Sequence, residues 1–109
     1  MQKSQDKDFL PLSEATFFIM LALLTPQHGY GVMQMVEEVS QSSVVIGPGT
    51  LYGAFSNLEK EKLIEMVREE GRRKVYQLTP KGREVLLAQR DRLEMMIALY
   101  DKNIDPEKE

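Results

Sequence analysis

Residues 80–104 carry a helical pattern about 25 residues long, in which Leu86, Leu93, Met96, Ile97, Tyr100 and Ile104 return to one side. Thr79 followed by Pro80 marks its start, the threonine as N-cap and the proline at the first helical position. The chain has 109 residues, enough for one domain and one core. A domain of that size covers only the first turns of so long a helix. The distal half needs another chain against it, so a homodimer is expected.

The rest of the chain is built from shorter pieces. Ser13 and Glu14, just after Pro11, signal a first helix reaching about Leu24. It is apolar nearly all round (Phe17, Phe18, Ile19, Met20, Leu21, Leu23, Leu24), which suits a central helix or one half of a subunit interface. Thr25-Pro26 closes it, and residues 27–31 read as a short turn containing His28. A second helix follows over 30–39, with Val32, Met35, Val36 and Val39 on one face. The triplet Val44-Val45-Ile46 fits either a short edge strand or an extended connection.

Gly47-Pro48-Gly49-Thr50 opens a third helix that reaches about Lys62, with Leu51, Ala54, Phe55 and Leu58 facing the core. At 100° per residue its outer face carries Gly49, Gly53, Ser56, Asn57 and Lys60, with Thr50 and Tyr52 on the flanks. Gly53 costs about 1 kcal/mol relative to alanine inside a helix. Close approach of another surface would explain it, and so would tolerated wobble. Residues 63–68 and 74–78 then alternate apolar and polar around Glu69-Glu70-Gly71-Arg72-Arg73, a hairpin with a glycine-containing turn.

The expected fold is therefore mainly α with a small β-hairpin: a winged helix-turn-helix plus a long C-terminal dimerization helix. Its divisions are a flexible N-terminus at 1–8, the DNA-binding domain at 9–82, the dimerization helix at 83–104 and a flexible tail at 105–109. Phe17, Leu86, Leu93, Met96, Ile97 and Tyr100 are the candidate dimer residues.

Composition removes most chemistry. With no cysteine, disulfides, thiolate catalysis and cysteine-based zinc sites are excluded. His28 is the single histidine, so a metal site needing two imidazoles is excluded too, and the acids lack loop-type spacing. Neither a metal nor a cofactor is expected. Ser42, Ser43 and Ser56 have no partner arrangement for a triad around a histidine set in a turn, which argues against an enzyme. No apolar run approaches the length of a membrane span, and the N-terminal residues do not resemble a secretory signal, so a cytoplasmic location is expected.

Charge is unevenly spread. Residues 1–49 hold two basic and five acidic side chains, 50–83 eight and five, and 84–109 four and seven. A basic middle between acidic ends fits a DNA-binding module inside a chain of net charge −3. In the winged-helix order the third helix enters the major groove and the hairpin reaches the backbone or minor groove beside it. The small polar face of the third helix and Arg72, Arg73 and Lys74 at the wing meet those requirements.

Four stretches carry a resemblance: His28-Gly29-Tyr30-Gly31-Val32, Gly47-Pro48-Gly49-Thr50-Leu51-Tyr52, Leu58-Glu59-Lys60-Glu61-Lys62-Leu63-Ile64, and the run from Gly71-Arg72-Arg73-Lys74 through Leu78-Thr79-Pro80-Lys81-Gly82. In order and spacing the chain resembles the PadR family of bacterial transcriptional regulators, in its short branch with one C-terminal dimerization helix. The resemblance implies a homodimeric repressor on a pseudo-palindromic operator, often controlling its own gene and a neighboring transporter or detoxification gene. It implies phosphate contacts at Tyr30 and Gln34, helix contacts at Thr50, Tyr52, Ser56, Asn57 and Lys60, and wing contacts at Arg72, Arg73 and Lys74.

Members that sense flat drugs hold them between aromatic residues near the dimer center, often tryptophan. This chain has no tryptophan, leaving Met96 and Tyr100 as candidates to line a site for a small-molecule inducer. His28 is expected to bond backbone in its turn rather than to sense pH or ligand. The alternative reading is a winged-helix module that binds protein. It would call for an apolar patch on the outer face of the third helix, where Gly53, Ser56 and Asn57 stand.

Overall fold

The computed structural model of the chain describes residues 9–104. The flexible ends expected at 1–8 and 105–109 lie outside the described residues. In chain order the elements are α1 (Glu14–Ala22), β1 (Gln27–His28), α2 (Gly29–Val39), α3 (Pro48–Lys60), β2 (Ile64–Glu70), β3 (Arg73–Leu78) and α4 (Pro80–Asn103).

Each helix starts where its cap chemistry dictates. The Ser13 side chain accepts the Thr16 N–H at 3.1 Å, and the Thr79 hydroxyl accepts the Gly82 N–H at 3.0 Å. At α2 the cap is His28, whose Nδ1 accepts the Gly31 N–H at 3.1 Å. Helix α3 begins at Pro48 behind Gly47, which has no side chain to offer.

The ends are less conventional. After α3 the Leu63 N–H donates to the Leu58 carbonyl and the Lys62 N–H to that of Glu59, with Lys62 at φ 64°. After α2 the same pair of bonds forms around Gln41, at φ 53°. Both are Schellman closures, and both put an ordinary residue where glycine is usual. They stop α3 at Lys60, two residues short of the expected end.

The core lies where α1 packs against α2 and α4, with α3 resting on α2. Ile19, Leu23, Val32, Val36, Leu51, Leu63, Ile64 and Val85 are buried completely or nearly so. Phe17, Phe18 and Leu21 lie half-buried against that core, as a helix without a polar face requires.

The expected hairpin is present, and the sheet has a third strand. The order is β1-β3-β2, all antiparallel, with Gln27 opposite Tyr76 and His28 opposite Val75. Residues 27–28, expected as part of a turn, thus seal the inner edge of the wing. Between β2 and β3 the register runs from Ile64 opposite Leu78 to Glu70 opposite Arg73 and slips once between Met66 and Arg68. Gly71 supplies the positive φ, 65°, that the tight turn at the tip needs. The triplet Val44-Val45-Ile46 is an extended connection rather than a strand; Ile46 is buried and Val45 exposed.

Two expectations meet at the opening turns of α4. Leu86 is buried in the domain's own core, because the opening turns of α4 close that core. The division expected at residue 83 falls inside this same stretch of α4, whose Gly82, Val85, Leu86 and Gln89 are all buried. Beyond Gln89 the helix leaves the domain, and Met96, Ile97 and Tyr100 are exposed, the last two at 62% and 64%. Leu93 is half-buried.

Candidate nucleic-acid interface

The folded wing and the outer edge of α3 enclose a cleft of about 360 Å³. Its walls bring together Tyr30 from the start of α2, Tyr52 and Ser56 from α3, and Arg72, Arg73 and Lys74 from the wing. Six of the ten residues expected to meet DNA thus share one concavity, although they come from three elements. Gln34 is tied to it through its side-chain amide, which donates to the Tyr30 hydroxyl at 3.3 Å.

The floor of the cleft is aromatic. The Phe55 ring, buried, meets Tyr52 edge-on at 6.2 Å and Tyr76 at 5.0 Å between centroids. Burial pushes the Tyr76 hydroxyl above its ordinary pKa, helped by the Glu59 carboxylate and by Tyr52. Tyr30 and Tyr52 stand at the rim, each about half exposed. A methyl at Gly29 would come within 2.7 Å of the Tyr52 hydroxyl, so glycine lets α3 lie close to the start of α2.

The wing sorts its charges. Arg68 is engaged by Glu70 at 2.5 Å; that hydrogen bond, then the positive charge, holds the Glu70 carboxyl below the usual range. Both side chains are about half exposed, so the pair adds little stability. Arg73 rests over the Tyr30 ring, 5.8 Å from its centroid. Neither Arg72 nor Lys74 forms an ion pair among the described residues. Exposed and unneutralised, these cations suit phosphate.

The remaining expected contacts lie elsewhere on α3. Thr50 is exposed in the first turn, where Gly47 leaves the helix N-terminus without a side-chain cap. Lys60 is exposed at the other end. Asn57 is exposed too, but borders a second depression with Phe9, Pro11, Leu12, Ser13 and Thr16, away from the wing. A side chain at Gly53 would meet nothing within 4 Å, so no intramolecular contact demands that glycine.

Sequence reasoning missed Glu59, which lines the cleft beside the three wing cations. Its place one turn beyond Phe55 on α3 was visible; the wing folding back over that flank was not. His28 does bond backbone as expected, and its other ring nitrogen reaches Arg73, which was not foreseen. Among the described residues no group of acids and histidine is placed to hold a metal ion, and no helix is long and apolar enough to cross a membrane.

Comparison with known proteins settles the family. Residues 19–88 match the Transcriptional regulator PadR-like family. The chain belongs to that family. It is 32% identical over 69 residues to the transcriptional regulator YqjI of Escherichia coli, covering 63% of this chain and 33% of YqjI. It is 40% identical over 75 residues to an uncharacterized 37.1 kDa protein in transposon TN4556 of Streptomyces fradiae, covering 68% of this chain and 21% of that protein. The chain therefore spans only a fifth to a third of these two relatives. Among solved structures, a PadR-like transcription factor from Bacteroides fragilis superposes with a TM-score of 0.70 at 23% identity, over 94% of this chain and 97% of that one. That likeness confirms the winged-helix fold. PadR-like proteins are transcriptional regulators.

Proposed function

We propose that this PadR-like chain is a sequence-specific repressor that binds a pseudo-palindromic operator as a homodimer, controlling its own gene and neighboring transporter or detoxification genes. Helix α3 enters the major groove with Thr50, Tyr52, Ser56, Asn57 and Lys60, and the wing lays Arg72, Arg73 and Lys74 along the backbone. The observation that carries this reading is the shared cleft, in which an α3 edge with hydrogen-bonding groups adjoins two exposed cations in no ion pair. The outer face of α3 is small and polar, which disfavors a protein-binding role for it. Release by a small apolar ligand between two copies of α4 belongs to the same proposal, with Met96 and Tyr100 exposed where it would sit.

Fluorescence anisotropy tests it: the full chain is titrated onto duplex DNA from upstream of its own gene, with scrambled duplex as competitor, at several salt concentrations. Salt-sensitive binding that resists the competitor is expected. Replacing Arg72, Arg73 and Lys74 together by alanine should lower the salt slope by up to about 2.7 for each half-site, hence about 5.4 for the dimer, at about 0.9 for each phosphate left unneutralised. An unchanged slope would remove the wing from the mechanism.

A further inference from the structure

The His28 ring sits between two hydrogen-bond donors. Its Nδ1 is 3.1 Å from the Gly31 backbone nitrogen, the capping contact of α2. Its Nε2 is 3.2 Å from Nη1 of Arg73, at the root of the wing turn. A backbone N–H and a guanidinium can only donate. A neutral imidazole has one accepting nitrogen and one N–H, so it satisfies one of these donors at a time. With the proton on Nε2, α2 is capped and an N–H confronts Arg73. With the proton on Nδ1, Arg73 is held and the Gly31 N–H loses its acceptor.

The backbone that carries the ring is held in place. His28 is paired with Val75 in the sheet, and its N–H donates to the Gln27 side-chain carbonyl at 3.1 Å. We infer that His28 is a positioning residue that links the wing to α2, trading its one lone pair between Arg73 and the α2 cap.

The link bears on DNA through its neighbors. Arg73 lies over Tyr30, and Tyr30 is hydrogen-bonded to Gln34, so the wing cation and the α2 phosphate-facing pair meet at this ring. A phosphate oxygen is a stronger acceptor for a guanidinium than an imidazole nitrogen is. Once phosphate takes Arg73, the lone pair returns to Gly31 and the first turn of α2 gains its cap. Engagement of the wing thereby orders the start of α2. This DNA half rests on the function proposed above, whereas the junction itself belongs to the free protein.

Long-range ¹⁵N NMR of the His28 ring reads the tautomer directly. It is recorded on the full chain without DNA, under conditions where the two ring-nitrogen shifts themselves show one protonated and one bare nitrogen. Arg73→Ala should move the ring toward the Nε2–H form, changing the tautomer ratio about tenfold, the worth of a hydrogen bond to a charged donor. The Gly31 amide should exchange more slowly in that variant. The same ratio in wild type and variant overturns the inference. Arg73→Met, recorded beside it, gives the same comparison on a strand that keeps a long side chain without a donor. Duplex DNA added to the wild type should produce the same shift. A ring that responds to Arg73→Ala but not to bound DNA overturns the link to DNA. A protein that binds no DNA defeats the proposed function instead, and the free-protein comparison still decides the junction.

Discussion

Over residues 80–89 helix α4 buries Gly82, Val85, Leu86 and Gln89, whereas over 90–103 it buries nothing. Both stretches are rich in apolar residues, so composition does not separate them. The first is completed by its own domain: Val85 and Leu86 close the core, and the Gln89 side-chain oxygen accepts the Leu12 N–H at 3.0 Å. The second carries Met95, Met96, Ile97, Leu99 and Tyr100 into solvent. Apolar surface on a helix clear of its domain marks a place for a partner. The comparison separates residues that make the fold from apolar residues the domain leaves in solvent.

That division can be broken in graded steps. Val85→Asp places an unpaired charge at a fully buried site and should cost about 3–5 kcal/mol, abolishing the cooperative thermal transition seen by circular dichroism. Leu93→Asp should leave the helix signal intact and halve the mass in light scattering; a persistent dimer would exclude the distal half as the interface. Gln89→Leu strips the Leu12 N–H of its acceptor and should lower the unfolding free energy from denaturant titration by about 1 kcal/mol with no change in mass. Arg90→Ala, at the boundary, should leave the melting curve where it is. Arg90 bonds Asp91 at 3.0 Å and Glu94 at 3.2 Å, which raises its own pKa, but in full solvent such contacts contribute little.

Local chemistry made much of this legible. Ser13, Thr79 and the Gly47-Pro48 step announce three helix starts, and the alternation in residues 63–68 and 74–78 announces the wing. Helix ends were harder. A Schellman closure is found in sequence by its glycine, and Gln41 and Lys62 stand there instead. Strand β1 was illegible because two residues carry no periodicity; Gln27 and His28 extend only because β3, almost fifty residues later, pairs with them. The same distance hid the cleft. Tyr30, Tyr52 and Arg73 could each be named from the resemblance, but Glu59 enters the site only through the fold-back of the wing. Gln89 stands between Leu86 and Leu93 on the same stripe, but its polar side chain hides it from an apolar pattern; its partner, the Leu12 N–H, is far away in sequence.

The joint between α4 and the wing has a mechanical side. A methyl at Gly82 would collide with the Leu63 carbonyl oxygen at the root of β2. Thr79 is pinned to the same corner by its N–H on the Leu63 carbonyl at 3.0 Å and its hydroxyl on that of Lys62 at 2.7 Å, and Lys81 reaches the Glu61 carbonyl at 3.2 Å. Helix α4 is thus a rod of 24 residues, about 36 Å long, clamped at one end. A tilt of about 10° at the clamp carries its far tip about 6 Å, by the length of the rod. In the homodimer proposed above, the corner of Leu63, Thr79 and Gly82 would be a fulcrum, and small angles there would set how far apart two wings stand.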